Sequence, residues 1–425
     1  MELDPREAIV RDPKPVLLTG LLAAAVVGCS GHTTTTGAPR AALPSGSSAA
    51  AAANPSALDP GKYPTTALPP LGNAGSQETG RLVEGRRMAA YVVGPWQPDP
   101  ALAAAGSDSP ATVIEDFDQF GRVTWPPIAG GAHALPFVVG FMSERQTAGA
   151  DPQSSLRNAV LRFIDPSSAA TAAHNMASVA RNMPRDPRAT PIVTEPEQAV
   201  PIPGHPDAAA TLLTFQEGAQ PVRELSVFTA HGPYVLVQVA RCPTTPDCAA
   251  ALAAHTLDLQ VPLIDTFTPT RPPFTGLPVD PTGLLARTLA LPADQSTATA
   301  GATYPIAGAL HLEDNPVQAE PLLSAAGVDT VSVNLTTIYQ AKDPAAAQTL
   351  TQSYSETLAK SPAAQAASPV PGLPASRCTK VAGAGGLVPR YWCVAAAGRY
   401  TIRAVARQLD NAHQQIAAQY RILTG

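Results

Sequence analysis

Four thiols in two local pairs are the most reactive groups in this chain: Cys242 with Cys248, and Cys378 with Cys393. Paired thiols close a disulfide in an oxidising compartment, or four together can make a tetrahedral zinc site. Four cysteines allow three connectivities, and the simplest joins 242 to 248 and 378 to 393. A zinc site would require the two halves of the chain to meet at the metal, so disulfides are the reading adopted. "HLEDN" at His311–Asn315 offers imidazole, carboxylate and amide donors. Alternation at a strand end puts His311, Glu313 and Asn315 on one side, a polar face near a turn rather than a metal site. "EDFD" at Glu115–Asp118 supplies too few oxygens for calcium, which takes about six to eight, and reads as a solvated acidic loop. Gln238 is a lone polar residue on an otherwise apolar strand face. It either lines a pocket or bonds to neighbouring backbone. The eight histidines form no spaced pair, and no G-x-S-x-G elbow, H-E-x-x-H, Walker loop or Rossmann fingerprint occurs. No catalytic residue, metal or cofactor is assigned, and the ligand-binding residues stay open.

The elements that position these groups need a long chain with a real core. At 425 residues and 45% hydrophobic content, two domains are the natural expectation. Proline (46) and glycine (31) stay below the level of wholesale disorder. A net charge of −5 leaves no basic footprint, which argues against nucleic acid as a partner.

The fifth cysteine, Cys29, has a different setting. Val16–Val27 is an apolar run of signal-peptide length, too short to span a bilayer, and it ends in Val26-Val27-Gly28-Cys29. This resembles the bacterial lipobox. The resemblance implies a lipoprotein signal peptide over 1–28 and a diacylglyceryl group on the Cys29 thiol, which would bind the protein to the membrane. The stretch 29–58 is rich in Thr, Ser, Ala and Pro and reads as a flexible tether.

Beyond the tether the chain repeats itself. "HGPYVLVQVAR" at His231–Arg241 and "AGRYTIRAVAR" at Ala397–Arg407 match in register at Gly232/Gly398, Tyr234/Tyr400, Val239/Val405, Ala240/Ala406 and Arg241/Arg407. Each glycine suits a hairpin turn, and each is followed by a period-2 strand. Tyr234, Leu236, Gln238 and Ala240 form the expected core face. Val235, Val237 and Val239 make the other face apolar too, and either a helix around Leu82–Val93 or the second half must cover it. Partner strands are expected at Glu224–Ala230 and Tyr391–Ala397, with helices after Asp247 and after an N-cap at Asp410. Further back, "PIPGHP" (Pro201–Pro206) answers "PVPGLP" (Pro369–Pro374), and Asp165-Pro166 answers Asp343-Pro344 as N-cap and N1 of a helix. Apolar strands precede those helices at Ala159–Ile164 and Val331–Tyr339. The order strand, helix, Pro-Gly loop, hairpin, helix thus occurs twice. The expected fold is α+β: two tandem related modules, each an antiparallel sheet with helices packed on it. The boundaries are 59–267 and 276–425, joined by a proline-rich linker at 268–275 and followed by the helix-like "TGLLARTLAL" (Thr282–Leu291). Each module is expected to own its core.

From Leu58 the sequence reads "LDPGKYPTTALPP" and later "VGPW" at Val93–Trp96. With the cysteine signal ahead of it, this resembles a family of actinobacterial, chiefly mycobacterial, envelope lipoproteins of unknown function that open on L-D-x-G-x-Y-P-T. The family carries no known activity, so no site residue transfers from it. At fold level, small α+β modules with local disulfides are similar to extracellular sensor domains of mycobacterial receptor kinases. The resulting expectation is a lipid-anchored, extracytoplasmic lipoprotein on the outer face of the membrane. It would bind a small molecule or an envelope protein in a groove between the modules rather than catalyse a reaction. The alternative is an envelope enzyme whose active site is assembled from residues distant in sequence.

Overall fold

The period-2 segments resolve into two seven-stranded antiparallel sheets. In the computed structural model the described residues are 53–106, 110–149, 154–185, 191–218, 220–243, 245–295, 297–361, 363–382 and 388–425. The expected signal peptide, Cys29 and the expected tether up to residue 52 lie outside them. The first sheet contains β1 (Ala111–Ile114), β2 (Phe137–Gln146), β3 (Ser155–Phe163), β4 (Gln198–Ala199), β5 (Ala209–Glu217), β6 (Gln220–His231) and β7 (Tyr234–Arg241). The second contains β8 (Ala302–Tyr304), β9 (Thr330–Val333), β10 (Thr336–Gln340), β11 (Gln365–Ala367), β12 (Arg377–Val381), β13 (Arg390–Ala397) and β14 (Tyr400–Ala406). Their orders are β1-β2-β3-β7-β6-β5-β4 and β8-β9-β10-β14-β13-β12-β11. Counted from its own first strand, each sheet has the same order, so the repeated motifs mark a duplicated topology.

Local chemistry explains the equivalence. Gly232 and Gly398 adopt φ of +52° and +55° at the tips of the β6–β7 and β13–β14 hairpins, a conformation that side chains bearing Cβ resist. Asp165 and Asp343 accept from the backbone N–H groups of Ser168 and Ala346. They cap α4 (Pro166–Ala180) and α8 (Pro344–Ala359), each with proline in the first turn. The Pro-Gly turns also correspond, with His205 N–H donating to the Ile202 carbonyl at 3.1 Å and Leu373 N–H to that of Val370 at 2.9 Å. α5 (Pro246–Asp265) follows β7 as α9 (Leu409–Thr424) follows β14.

Some expected elements differ. Val331–Tyr339 is not one strand but the β9–β10 hairpin, turned at Asn334 and Leu335. Thr282–Leu291 forms only a short 3-10 turn at Leu285–Arg287. Side chains hold its backbone instead: Leu289 N–H donates to Gln419 and Leu291 N–H to Asn334. Gln408, not Asp410, holds the N-cap position of α9, without a side-chain cap, and Asp410 sits in its first turn. "EDFD" starts α2 (Phe117–Val123), with Asp116 accepting from Gln119 N–H at 2.8 Å.

Both faces of β7 are buried. Leu236 and Ala240 pack toward α5, whereas Val235, Val237 and Val239 lie with Met176 and Ala173 of α4 in a second cluster. The cover of the valine face is therefore α4, from the same module. The largest apolar cluster joins both halves: Trp96, Phe141 and Leu236 share it with Tyr304, Leu323 and Leu350. Each half also keeps a cluster of its own, but the largest is shared, and residues 53–425 form one compact unit.

The linker and the N-terminal segment also pack closely. Glu84, on α1 (Gln77–Met88), is fully buried and accepts from Arg162 of β3 and from Thr270 N–H, both at 2.7 Å, and from Arg87. It clamps the stretch expected as a linker onto the first sheet. The end of the expected tether and residues 59–70 run along the second module. Leu58 is buried there, Tyr63 hydroxyl donates to Asn411, and Leu68 N–H donates to Ala286. The L-D-x-G-x-Y-P-T opening is thus a strap over α9. Asp59 turns it by accepting from Gly61 N–H at 2.9 Å, and Arg421 holds the Leu58 carbonyl at 2.8 Å.

Candidate functional site

The two modules diverge in chemistry at the sheet face that lies under α4 in the first and under α8 in the second. In the first, Leu161 of β3, Met176 of α4 and Val237 of β7 fill it, all fully buried. In register with them the second carries Tyr339 of β10, Tyr354 of α8 and Arg403 of β14. An apolar core position has become a guanidinium flanked by two phenols.

Arg403 is nearly buried and donates to Glu313 Oε2 at 2.7 Å. Its guanidinium lies over the rings of Tyr339, Tyr354 and Trp392 at 5.5, 5.7 and 5.7 Å, a cation–π arrangement. Tyr339 hydroxyl donates to the other Glu313 oxygen at 2.6 Å. Burial pushes both phenols well above their ordinary pKa. Burial alone would lower Arg403, but Glu313 and the two phenols outweigh it and keep the cation charged. Tyr354 hydroxyl is buried beside Glu313 and Tyr339.

Glu313, Trp392 and Arg403 of this cluster floor a cavity of about 700 Å³. The C-terminal half of α8, with Tyr354, Thr357 and Leu358, forms another side. One wall is α7 (Pro316–Ala325), and its end is the turn Glu313–Asn315, whose last residue caps α7. The dimensions fall in the range of small-molecule sites. The cavity lies within the second module, not in a groove between the two.

The first module nevertheless fixes the end wall. Arg145 of β2 is fully buried and donates to the carbonyls of His311 and Glu313 at 2.8 and 2.7 Å. Trp96 lies beneath its guanidinium at 5.7 Å. His311 Nδ1 meets Ser143 Oγ of β2 at 2.8 Å, between the rings of Trp96 and Phe141. "HLEDN" is therefore not an exposed strand end. Its first residue is buried at the junction of the modules, its third at the cavity base, and the segment bends through the 3-10 turn Leu310–Leu312. "VGPW" delivers Trp96 to the same junction. Gly94 is required there, because a Cβ would meet the indole at 2.2 Å.

Burial, then the nearby Arg145, lowers His311 to about 3. Above the unfolded value of 6.5 the imidazole is neutral in both states and adds no pH dependence. Between 6.5 and about 3 the unfolded chain takes up a proton that the folded chain refuses, so stability falls as pH falls. The slope approaches about 1.4 kcal/mol per pH unit. Thermal melts from pH 7 to 4 should show a steeper loss for the native chain than for His311→Gln. Parallel curves would mean that the imidazole is not desolvated.

The remaining sequence candidates have structural roles. Gln238 donates to Asn158 at 3.0 Å, within a buried network in which Asn158 and Gln260 also hold the backbone of Tyr91 and Val93. Cys242 and Cys248 lie at disulfide distance, 2.14 Å, as do Cys378 and Cys393, 1.96 Å. Among the described residues one trio, Cys378, Cys393 and His413, brings metal-type ligand atoms within 4.8 Å of one another. Its sulfurs are bound to each other and its imidazole meets the Ser368 carbonyl. Sequence reasoning missed Trp392 and the pairing of Glu313 with Arg403. The available signal was Arg403 standing where the first copy has Val237. No described helix is long and apolar enough to cross a membrane.

Comparison with known proteins adds a family but no activity. No curated sequence matches. The extracellular domain of PknH from Mycobacterium tuberculosis aligns at 17% identity over 41% of this chain and 94% of that one, with a TM-score of 0.28. DynU16, from the dynemicin biosynthetic locus, aligns at 9% identity over 74% and 94%, with a TM-score of 0.10. Neither is similar enough in geometry to carry an argument. Residues 71–279 match the N-terminal domain of unknown function DUF7373, and residues 284–425 match the DUF7373 C-terminal domain. The second match holds the whole cavity and the first supplies the Arg145 that braces it, so this chain, with its two sheets and shared core, belongs to the DUF7373 family.

Proposed function

We propose that the protein is a non-enzymatic binding protein of the cell envelope, anchored outside the membrane by lipid on Cys29, with its ligand held in the cavity of the second module. One observation supports the binding role above all. Of two duplicated modules, one keeps this face as a solid core, and the other opens it beside the buried Glu313–Arg403 ion pair. A buried ion pair is weak evidence for stability even when matched, so its placement beside an open cavity fits a ligand better than it fits folding. The extracytoplasmic location is supported by the two cysteine pairs at disulfide distance, which persist in oxidising compartments. The anchor is supported by the Val26–Cys29 motif. Two acyl chains bury enough methylene groups, at about 0.8 kcal/mol each, for stable attachment.

Two measurements test these parts separately. Fatty-acid analogue labelling should mark the native chain and not Cys29→Ala, which should leave the membrane fraction or stay unprocessed. Equal labelling of both would reject the anchor. Native mass spectrometry of protein extracted from its envelope should show an added mass that Thr357→Trp, which fills the cavity from α8, loses. Identical spectra from the two proteins would reject the site.

A further inference from the structure

A second divergence between the modules lies at the open end of the matched hairpins. In the first, Glu224 of β6 is fully buried and accepts from Arg241 Nε and Trp125 Nε1, both at 2.9 Å, with Arg157 at 3.7 Å. One carboxylate thus serves the cations around it. The offset that aligns Gly232 with Gly398 and Arg241 with Arg407 also aligns Glu224 with Arg390. The carboxylate has been exchanged for another guanidinium. Arg390 and Arg407 stand one step beyond the cross-strand pair Tyr391–Ala406, at opposed positions where β13 begins and β14 has ended. Lys380 of β12 adds a third cation, one residue from Val381, the cross-strand partner of Arg390. Both arginines are exposed and Lys380 is half-buried. Among the described residues none of the three makes an ion pair. Residues 383–387 beside them read Gly-Ala-Gly-Gly-Leu and bring no carboxylate. Like charges at opposed cross-strand positions repel and cost stability.

A ligand that replaces the missing carboxylate must serve two guanidiniums at once. A carboxylate has two oxygens in one plane, which suits a single arginine fork. A phosphate monoester has three terminal oxygens and about two negative charges, and arginine binds such oxygens in pairs. We propose that Arg390 and Arg407, with Lys380 beside them, form a binding site for a phosphate monoester group. Such a group is carried by a soluble phosphate or by a lipid headgroup. The site adjoins the cavity, since Val381 also lines that space, but it does not depend on the cavity holding a ligand.

The test uses the full chain carrying Cys29→Ser, which removes the thiol expected to be acylated and leaves the three cations in place. Inorganic phosphate should raise its melting temperature in a saturable way, whereas chloride at the same ionic strength should not. Vesicles of phosphatidylcholine mixed with phosphatidic acid should sediment the protein, and pure phosphatidylcholine should not. Sedimentation without an effect of inorganic phosphate assigns the group to a lipid headgroup, and the reverse assigns it to a soluble phosphate. Arg390→Glu rebuilds the arrangement of the first module. It should weaken binding by about tenfold or more, the worth of one charge-assisted hydrogen bond. It should also leave the chain at least as stable as before, because Arg407 gains a carboxylate, and this separates lost binding from lost folding. Equal stabilisation by chloride, no binding to either probe, or an Arg390→Glu chain that binds as tightly as its parent would each overturn the site.

Discussion

Arg403→Ala will destabilise the protein by about 3–5 kcal/mol, because it leaves the Glu313 carboxylate buried without its cation. Glu313 keeps the Tyr339 hydroxyl, a single bond that cannot replace a charge partner. The Glu313→Gln/Arg403→Met pair should recover most of the loss. Glutamine retains an acceptor for Tyr339, and methionine fills the space over three aromatic rings without a charge to desolvate. Urea unfolding of the native chain, both single variants and the double variant gives the coupling directly. A single-variant cost below about 1 kcal/mol would place the pair with ordinary solvated ion pairs. The cavity base would then be wetter than its burial implies.

The second large effect concerns the two halves. The fragment 277–425 should fail to unfold cooperatively on its own, whereas residues 53–425 together should melt in one transition. Removing the first module uncovers Tyr304, Ala309 and Leu310, whose elements pack against α1 and residues 89–91 in the shared cluster. It also strips Arg145 from the His311 and Glu313 carbonyls, and Arg86 from those of Ala298, Ala300 and Gly301. An apolar patch of this kind aggregates. Calorimetry of the whole chain and the fragment decides the matter, and a sharp melt from soluble 277–425 would contradict it.

Much of this architecture was legible in the residues. Gly232 and Gly398 fix the hairpins, and Asp165-Pro166 and Asp343-Pro344 fix the helix starts, because caps and tight turns depend on a few adjacent residues. The shared core was not legible. Period-2 patterning shows that a β7 face is apolar, but not whether α4 or the other module covers it. The site was hidden for a related reason. Glu313 and Arg403 meet through the turn before α7 and through β14, and only the folded sheet brings them within 2.7 Å. His311 illustrates the reverse error. Alternation placed it on a polar face, and a 3-10 bend with a covering tryptophan buried it.

The strap over α9 has a mechanical consequence. A pull on the N-terminus acts first on residues 54–70, not on either sheet. It loads the Asn54–Gly372 backbone bond, then the Leu58 seat and its Arg421 bonds, then the Tyr63 hydroxyl. These contacts would be peeled one after another, while strand pairs sheared along their length would share the load. A protein held at that end should therefore lengthen by a short first step at low force, with both sheets and the cavity intact. Optical-tweezer traces with the handle at Ala53 would show that step, and Leu58→Ala should lower its force.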